Sequence, residues 1–235
     1  MSSTSESSSP RSNATESFHP NTSKGLHLKI DFAWSKFRNL IFEKNGDKLE
    51  PVYIQHFRPT KPQLRFESAA NNSPIATGTI NNVSISGECI IHGHDIALKP
   101  LKRWKTQYNY LSKTFSSSGA EPVPISWIAN SSLKVWDFVC LDANQLPIAK
   151  FSVNIWAIKQ VGNFYFEKTK EELSDEERDE VVVTGVTILY IMMTRMNNPL
   201  HLVGAAFAKT GKVEGQAQAQ EEAELAHKKD IDAKP

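Results

Sequence analysis

"DEVVVTGVTILYIMMTRMNNP", residues 179–199, is the most apolar stretch of the chain, and its reading decides the fold. A start signal precedes it. Ser174 and Glu177 have the spacing of a capping box, and Asp175, Glu176 and Glu177 put negative charge on the first turn, where the helix dipole favours it. Asn197-Asn198-Pro199 supplies the stop, because Asn tolerates the left-handed cap and Pro cannot continue a helix. The sequence therefore predicts a helix over about 175–197. From Val181 to Met193 it carries no charge, and its apolar residues cover every face rather than one stripe, so it must be surrounded. Val182, Val183, Val186, Ile188, Leu189, Ile191 and Met192 are its expected core residues. The many β-branched residues leave a buried strand as the alternative. Against it stand the capping box and a length beyond the roughly three to ten residues of typical strands.

Lipid or protein can do the surrounding. The uncharged stretch from Val181 to Thr194 is 14 residues, about 21 Å at the α-helical rise, whereas a membrane span needs about 20 residues for a hydrocarbon core of roughly 30 Å. The next apolar segment, "LHLVGAAFA" (200–208), does not extend it, since Arg195 and the Asn-Asn-Pro break intervene; it reads as a final strand or short packing segment. No transmembrane span is expected, and the helix belongs inside a fold.

Upstream, most of the pattern has a period of two. "PVYIQHF" (51–57), "QLRFES" (63–68), "VSISGECIIHG" (83–93), "QYNYLS" (107–112), "PISWIAN" (124–130), "LKVWDFVCLD" (133–142), "PIAKFSVNIWAIKQV" (147–161) and "NFYFEK" (163–168) carry β-branched or aromatic residues at strand spacing. Turn residues separate them, among them Asn45-Gly46, Gly93-His94-Asp95 and Gly162-Asn163. Short strands without intervening helices predict an antiparallel meander that must close or be covered to hide its edges.

The ends read as tails. Residues 1–27 are Ser-rich and lack the apolar mass to offset ordering entropy; residues 209–235, rich in Ala, Gln, Glu and Lys, support at most a fraying helix. The N-terminus holds no apolar core of the kind a signal peptide needs, so a cytoplasmic protein is expected, peripheral to a membrane or nuclear. In that setting the Asn-x-Ser/Thr matches at Asn13, Asn21, Asn71, Asn82 and Asn130 are silent, Ser9 before Pro10 reads as ordinary linker, and Cys89 and Cys140 are buried thiols.

Strands followed by one buried helix near the C-terminus and a last apolar segment resemble the tubby C-terminal-like superfamily, over residues 28–208. The resemblance is clearest in "VGNFYFEKTKEELSDEERDEVVVTGVTILYIMMTRM" (161–196): a strand leaving at Asn163-Phe164, an acid-rich connection, then the apolar helix, as in phospholipid scramblases and related domains. It implies a mainly β (α+β) fold, a closed antiparallel β-barrel of about twelve strands around a central hydrophobic helix. It also implies binding of phosphoinositides through Lys and Arg on a strand-and-turn surface. The connection lacks the alternating Asp/Asn and Gly of calcium loops, and a long terminal span is missing, so a calcium-dependent scramblase activity is not implied.

Catalytic patterns fail. There is no phosphate-binding Gly-rich loop, G-x-S-x-G elbow, H-E-x-x-H or paired-Cys spacing. His92-Gly93-His94-Asp95 has metal-ligand residue types but coincides with a turn; Cys140, between Asp137 and Asp142, has no nearby base. No catalytic residue, metal or cofactor is expected, and the protein reads as a non-enzyme.

Charge is more informative. Residues 28–166 carry 16 Lys/Arg against 10 Asp/Glu, whereas residues 167–180 carry eight acids against three bases. "LKPLKRWKTQYNYLSK" (98–113) holds Lys99, Lys102, Arg103, Lys105 and Lys113 without an acid, with Trp104, Tyr108 and Tyr110 interleaved. Such a set suits anionic phospholipid head groups or, less well, stacked single-stranded nucleic acid; it also fits a strand pair with one solvated basic face. Lys99, Lys102, Arg103, Lys105, Lys113 and Trp104 are the candidate lipid-binding residues. For Lys102, Arg103 and Lys105 to act together, a barrel-rim turn at Pro100 must override strand alternation. The expected function is a binding module for acidic phospholipid at membrane surfaces, with a protein-interaction or nucleic-acid-binding regulator, or a soluble scramblase-like lipid handler, as alternatives.

Overall fold

The structure, a computed structural model, describes residues 25–81, 84–103, 105–116, 121–131, 136–154, 159–197, 208 and 210–213. Trp104, Asn82, the stop at Asn198 and Pro199, residues 200–207 of the last apolar segment and most of both tails lie outside them.

Twelve strands follow one another: β1 (His27–Ala33), β2 (Arg38–Asn45), β3 (Lys48–Phe57), β4 (Leu64–Ser68), β5 (Pro74–Ile80), β6 (Gly87–Ile91), β7 (His94–Pro100), β8 (Gln107–Ser112), β9 (Val123–Ser131), β10 (Trp136–Leu141), β11 (Pro147–Val153) and β12 (Gln160–Phe166). Each pairs antiparallel with its chain neighbours, and β12 returns to β1, from His27 opposite Tyr165 to Asp31 opposite Gln160, closing the barrel. No edge is left to template another chain. The segments marked by the period of two supply eight of these strands; β1, β2, β5 and β7 are additional. Three readings are corrected. The run 147–161 is not one strand, since β11 ends at Val153 and β12 begins at Gln160, and Gly162-Asn163 is not a turn but lies within β12, paired with β1 and β11. His94 and Asp95 are not turn residues but open β7: the hairpin turn is His92-Gly93, both at positive φ, with Ile91 opposite His94. Two left-handed residues match the right-handed twist of the flanking strands, which favours this turn.

Alternation sets the inside. In β4, Leu64 and Phe66 are buried and Arg65 is exposed; in β6, Cys89 and Ile91 are buried and Glu88 is exposed. Apolar interior and polar exterior are the reverse of a membrane-spanning barrel, whose outer band is apolar. Across β10, β11 and β12 the register puts Phe138 opposite Phe151 and Phe151 opposite Phe164, and their rings stack at 5.9 and 4.1 Å.

The helix α1 (Asp175–Asn197) threads this interior. The capping box forms as expected: Glu177 N donates to Ser174 Oγ at 3.1 Å and Ser174 N to Glu177 Oε2 at 3.0 Å. All seven expected core residues are buried, none exposed by more than 8%. On one side Thr187 and Ile191 press on β5 and β6, where a Cβ at Gly78 or Gly87 would come within 2.5 Å of them. On the other, Gly185 lets the helix meet Phe164 of β12 and Trp127 of β9, 3.0–3.1 Å from where its Cβ would lie. Several polar groups inside are partnered: Trp127 Nε1 donates to Thr184 Oγ1 (3.1 Å), Cys89 Sγ to Thr187 Oγ1 (3.5 Å) and Asn39 Nδ2 to the Tyr190 hydroxyl (2.8 Å). Such pairing is what makes burial of polar groups tolerable.

Within the segment read as a C-terminal tail, residues 210–213 lie along β7 and β8. Gly211 N donates to the Pro100 carbonyl, Asn109 Nδ2 to the Gly211 carbonyl and Val213 N to Asn109 Oδ1. The boundary at 208 and 209 therefore does not coincide with the end of the packed chain. The bonds come from backbone groups that composition does not weigh.

Candidate functional site

A meander sends alternate connections to opposite ends. The helix enters at the end where β12 leaves, with Asp179 accepting from Tyr53 and bonded to His92 Nε2 at 2.8 Å. It finishes at the other end, where Arg195 donates to the Arg103 carbonyl at 2.9 Å. The connections at this second end are those that follow β1, β3, β5, β7, β9 and β11.

The required turn exists. Lys99 and Pro100 pair with Asn109 and Tyr108, and then Leu101 N donates to the Gln107 carbonyl and Gln107 N to that of Lys105. Lys102, Arg103 and Lys105 stand on this connection, all exposed, where strand alternation no longer separates their heads. Lys99 lies just below on β7, donating to the Lys212 carbonyl at 3.2 Å. Lys113 is elsewhere. It follows β8 at the opposite end, about 20 Å away at the rise of a strand, and belongs to a different site. Trp104 has no described position.

Other cations share the end with Lys102. Lys36, Arg58, Lys61 and Lys159 sit on its connections, Arg38 opens β2 and Arg195 occupies the last turns of α1. Among the described residues of these connections there is no Asp or Glu. Of the nearest strand acids, Asp31 and Asp137 are paired with Lys29 at 2.9 Å and Lys150 at 2.7 Å, while Glu88, the second residue of β6, is exposed. Sequence reading missed these cations because they are dispersed along the chain. Counting only every second turn of the meander brings them together. Beneath them, burial pushes the Tyr108 hydroxyl up to about 12, opposed by the Arg195 charge, and this neutral phenol donates to the Ile85 carbonyl at 2.7 Å.

The opposite end is acidic. Asp47, Glu121, Asp142, Glu167, Glu171, Glu172 and the first turn of α1 gather there, with Lys168 and Lys170 bonded to Glu177 and Glu43 at 2.7 Å. β7 and β8 pair only at Lys99 and Pro100, and where they splay apart a cavity of about 380 Å³ opens. His92, His94, Asp95, Lys113, Glu176 and Glu180 line its polar side. Glu180 is 2% exposed. Burial raises its carboxyl above the ordinary range, opposed by Ser112, Thr114 and Tyr110, while its Oε1 and the Tyr110 hydroxyl each lack a partner in hydrogen-bond geometry. Among the described residues no three His, Cys, Asp or Glu are grouped to hold a metal ion. Cys89 and Cys140 are free and buried, and burial pushes the Cys89 thiol up to about 12 and the Cys140 thiol well above its usual value, which removes the thiolate chemistry of a nucleophile.

Fold and charge together define a class: a closed twelve-stranded antiparallel barrel threaded by a C-terminal helix, cationic at the end where the helix finishes. No family model, curated protein or solved structure matches the chain. Among the described residues no helix is long and apolar enough to cross a membrane.

Proposed function

We propose that this chain is a non-enzymatic binding module of tubby-like type that docks on acidic phospholipid head groups, phosphoinositides in particular, through the cationic end of its barrel. The observation that carries the reading is the segregation of charge: Lys36, Arg38, Arg58, Lys61, Lys102, Arg103, Lys105, Lys159 and Arg195 at one end, with no acid on the described connections there. A rim of separate cations engages a plane of anions better than a single pocketed ligand, and each contributes about 1 kcal/mol close to an anionic membrane surface. The attraction is screened over about 8 Å at physiological salt, so binding is salt-sensitive.

The test is sedimentation with vesicles of phosphatidylcholine containing a polyanionic phosphoinositide. Wild type binds at low salt and is released as salt rises. Reversing Lys102, Arg103 and Lys105 to Glu lowers affinity by roughly a hundredfold or more, from about 1 kcal/mol per cation removed plus repulsion, with circular dichroism and Tm unchanged because all three are exposed. A triple variant that binds as wild type does would reduce the rim to a solvated face. Capture of a single-stranded oligonucleotide in place of vesicles would move the reading to nucleic acid.

A further inference from the structure

The turn between β1 and β2 carries a feature that folding alone does not explain. A single 3-10 turn, Trp34–Lys36, ends on Phe37, whose φ of 45° and ψ of 56° are left-handed, and Trp34 and Phe37 are 64% and 62% exposed. A bulky aromatic in this region is strained; Gly or Asn would relieve it, and strain of this kind collects at functional surfaces. Most of the Phe37 ring stays in water, so burial does not compensate. The rings are nonetheless held firmly: Phe32 meets Trp34 at 4.7 Å and Phe37 at 5.5 Å, Phe37 meets Phe57 at 5.4 Å, and Phe57 meets Tyr190 of the helix at 4.8 Å. Met193 and Met196, one turn apart on the last part of α1, are exposed at the same end. In the chain Lys36 precedes Phe37 and Arg38 follows it.

We infer that Trp34 and Phe37 form an aromatic tip that inserts into the head-group and acyl boundary of a membrane bearing acidic phospholipid, while the surrounding cations hold its surface. The inference rests on the function proposed above and adds an orientation: the barrel stands with the helix C-terminus toward the bilayer. The choice of lipid as occupant comes from charge complementarity. Exposed apolar rings on a cation-bearing end whose described connections hold no acid match an anionic interface, where Trp in particular is at home, its ring partly apolar and its N–H wet.

Two measurements separate insertion from charge attraction. In the double variant Trp34→Ser, Phe37→Asn, the Asn accepts the backbone conformation at 37, so the chain stays folded. Its affinity for the same vesicles falls roughly tenfold or more, while the slope of log affinity against log salt stays that of wild type. The triple charge reversal, in contrast, flattens the slope. With brominated phosphatidylcholine in the vesicles, wild-type tryptophan emission is quenched more than that of Trp34→Phe, because the residue lost is the one at bromine depth. Equal quenching, or a double variant that binds as wild type does while the charge reversal still abolishes binding, overturns the tip and leaves the cationic rim standing. Absence of any vesicle binding by wild type overturns both. A double variant that converts a self-associating chain to monomer without changing vesicle affinity assigns the tip to a second copy instead and also overturns the inference.

Discussion

Glu180 is the residue whose chemistry is least at ease with its place. It lies in the second turn of α1, buried, with one carboxylate oxygen unpartnered, and its carboxyl titrates above the ordinary range chiefly because burial disfavours the charge. The unfolded chain keeps the ordinary value. Below that value both states are protonated and the buried group carries no ionisation cost. As pH rises through the folded pKa, the unfolded chain has already ionised and stability is lost. Glu180→Gln is therefore expected to melt higher than wild type at about pH 7, with the gain disappearing below about pH 4, where the unfolded carboxyl is also neutral. Thermal unfolding of the two proteins at both pH values checks this, and a gain of equal size at acid pH would assign it to packing instead. The two cysteines, by contrast, are free and buried, and burial holds both thiols protonated.

At the scale of the element, α1 is a helix that water never sees over most of its length. Its intrinsic propensity is poor, because Val, Thr and Ile lose side-chain freedom in a helix. The barrel wall supplies what propensity does not. Val186 is 1% exposed, so Val186→Asp buries a charge among apolar groups and should destabilise by more than about 3 kcal/mol. Gly185 is a different case. Its missing side chain is the space occupied by Phe164 and Trp127, and Gly185→Leu should cost about 1–3 kcal/mol by overpacking. Denaturant unfolding of both variants tests the threaded-helix arrangement; a Val186→Asp protein that unfolds at the wild-type midpoint is incompatible with it.

The whole molecule is a short cylinder of opposite-signed ends. Cations and exposed aromatic rings gather where the helix finishes, acids and the 380 Å³ cavity where it begins. Such an object orients in the field of an anionic surface before it touches, since charge asymmetry steers encounter as well as contributing to affinity. On the docking proposed above, the polar exterior of the strands makes adsorption, not insertion across the bilayer, the expected mode. Membrane-associated protein should be released into the supernatant by alkaline carbonate. Retention in the pellet would show that part of the chain spans the bilayer, against the apolar-in, polar-out pattern of the barrel.

The sequence by itself determined the helix, its bounds, its capping box and its burial, because those depend on local spacing and on an uncharged run too short for lipid. It also determined that strands dominate, since the period of two is a local property. Of the candidate site, Lys102, Arg103 and Lys105 were legible as neighbours in the chain just after a turn predicted at Pro100. Only the tertiary structure separated Lys113 from them and joined Arg195, Lys36, Arg58 and Lys61 to their end. The reason is geometric: in a closed meander, membership of an end depends on the parity of the connection, and residues far apart in sequence meet there while residues one strand apart do not. Closure was expected, from the need to hide strand edges and from the family resemblance, but local reading did not specify which strands meet. The pairing of β1 with β12 joins segments more than a hundred residues apart, and no pattern within either strand specifies its partner.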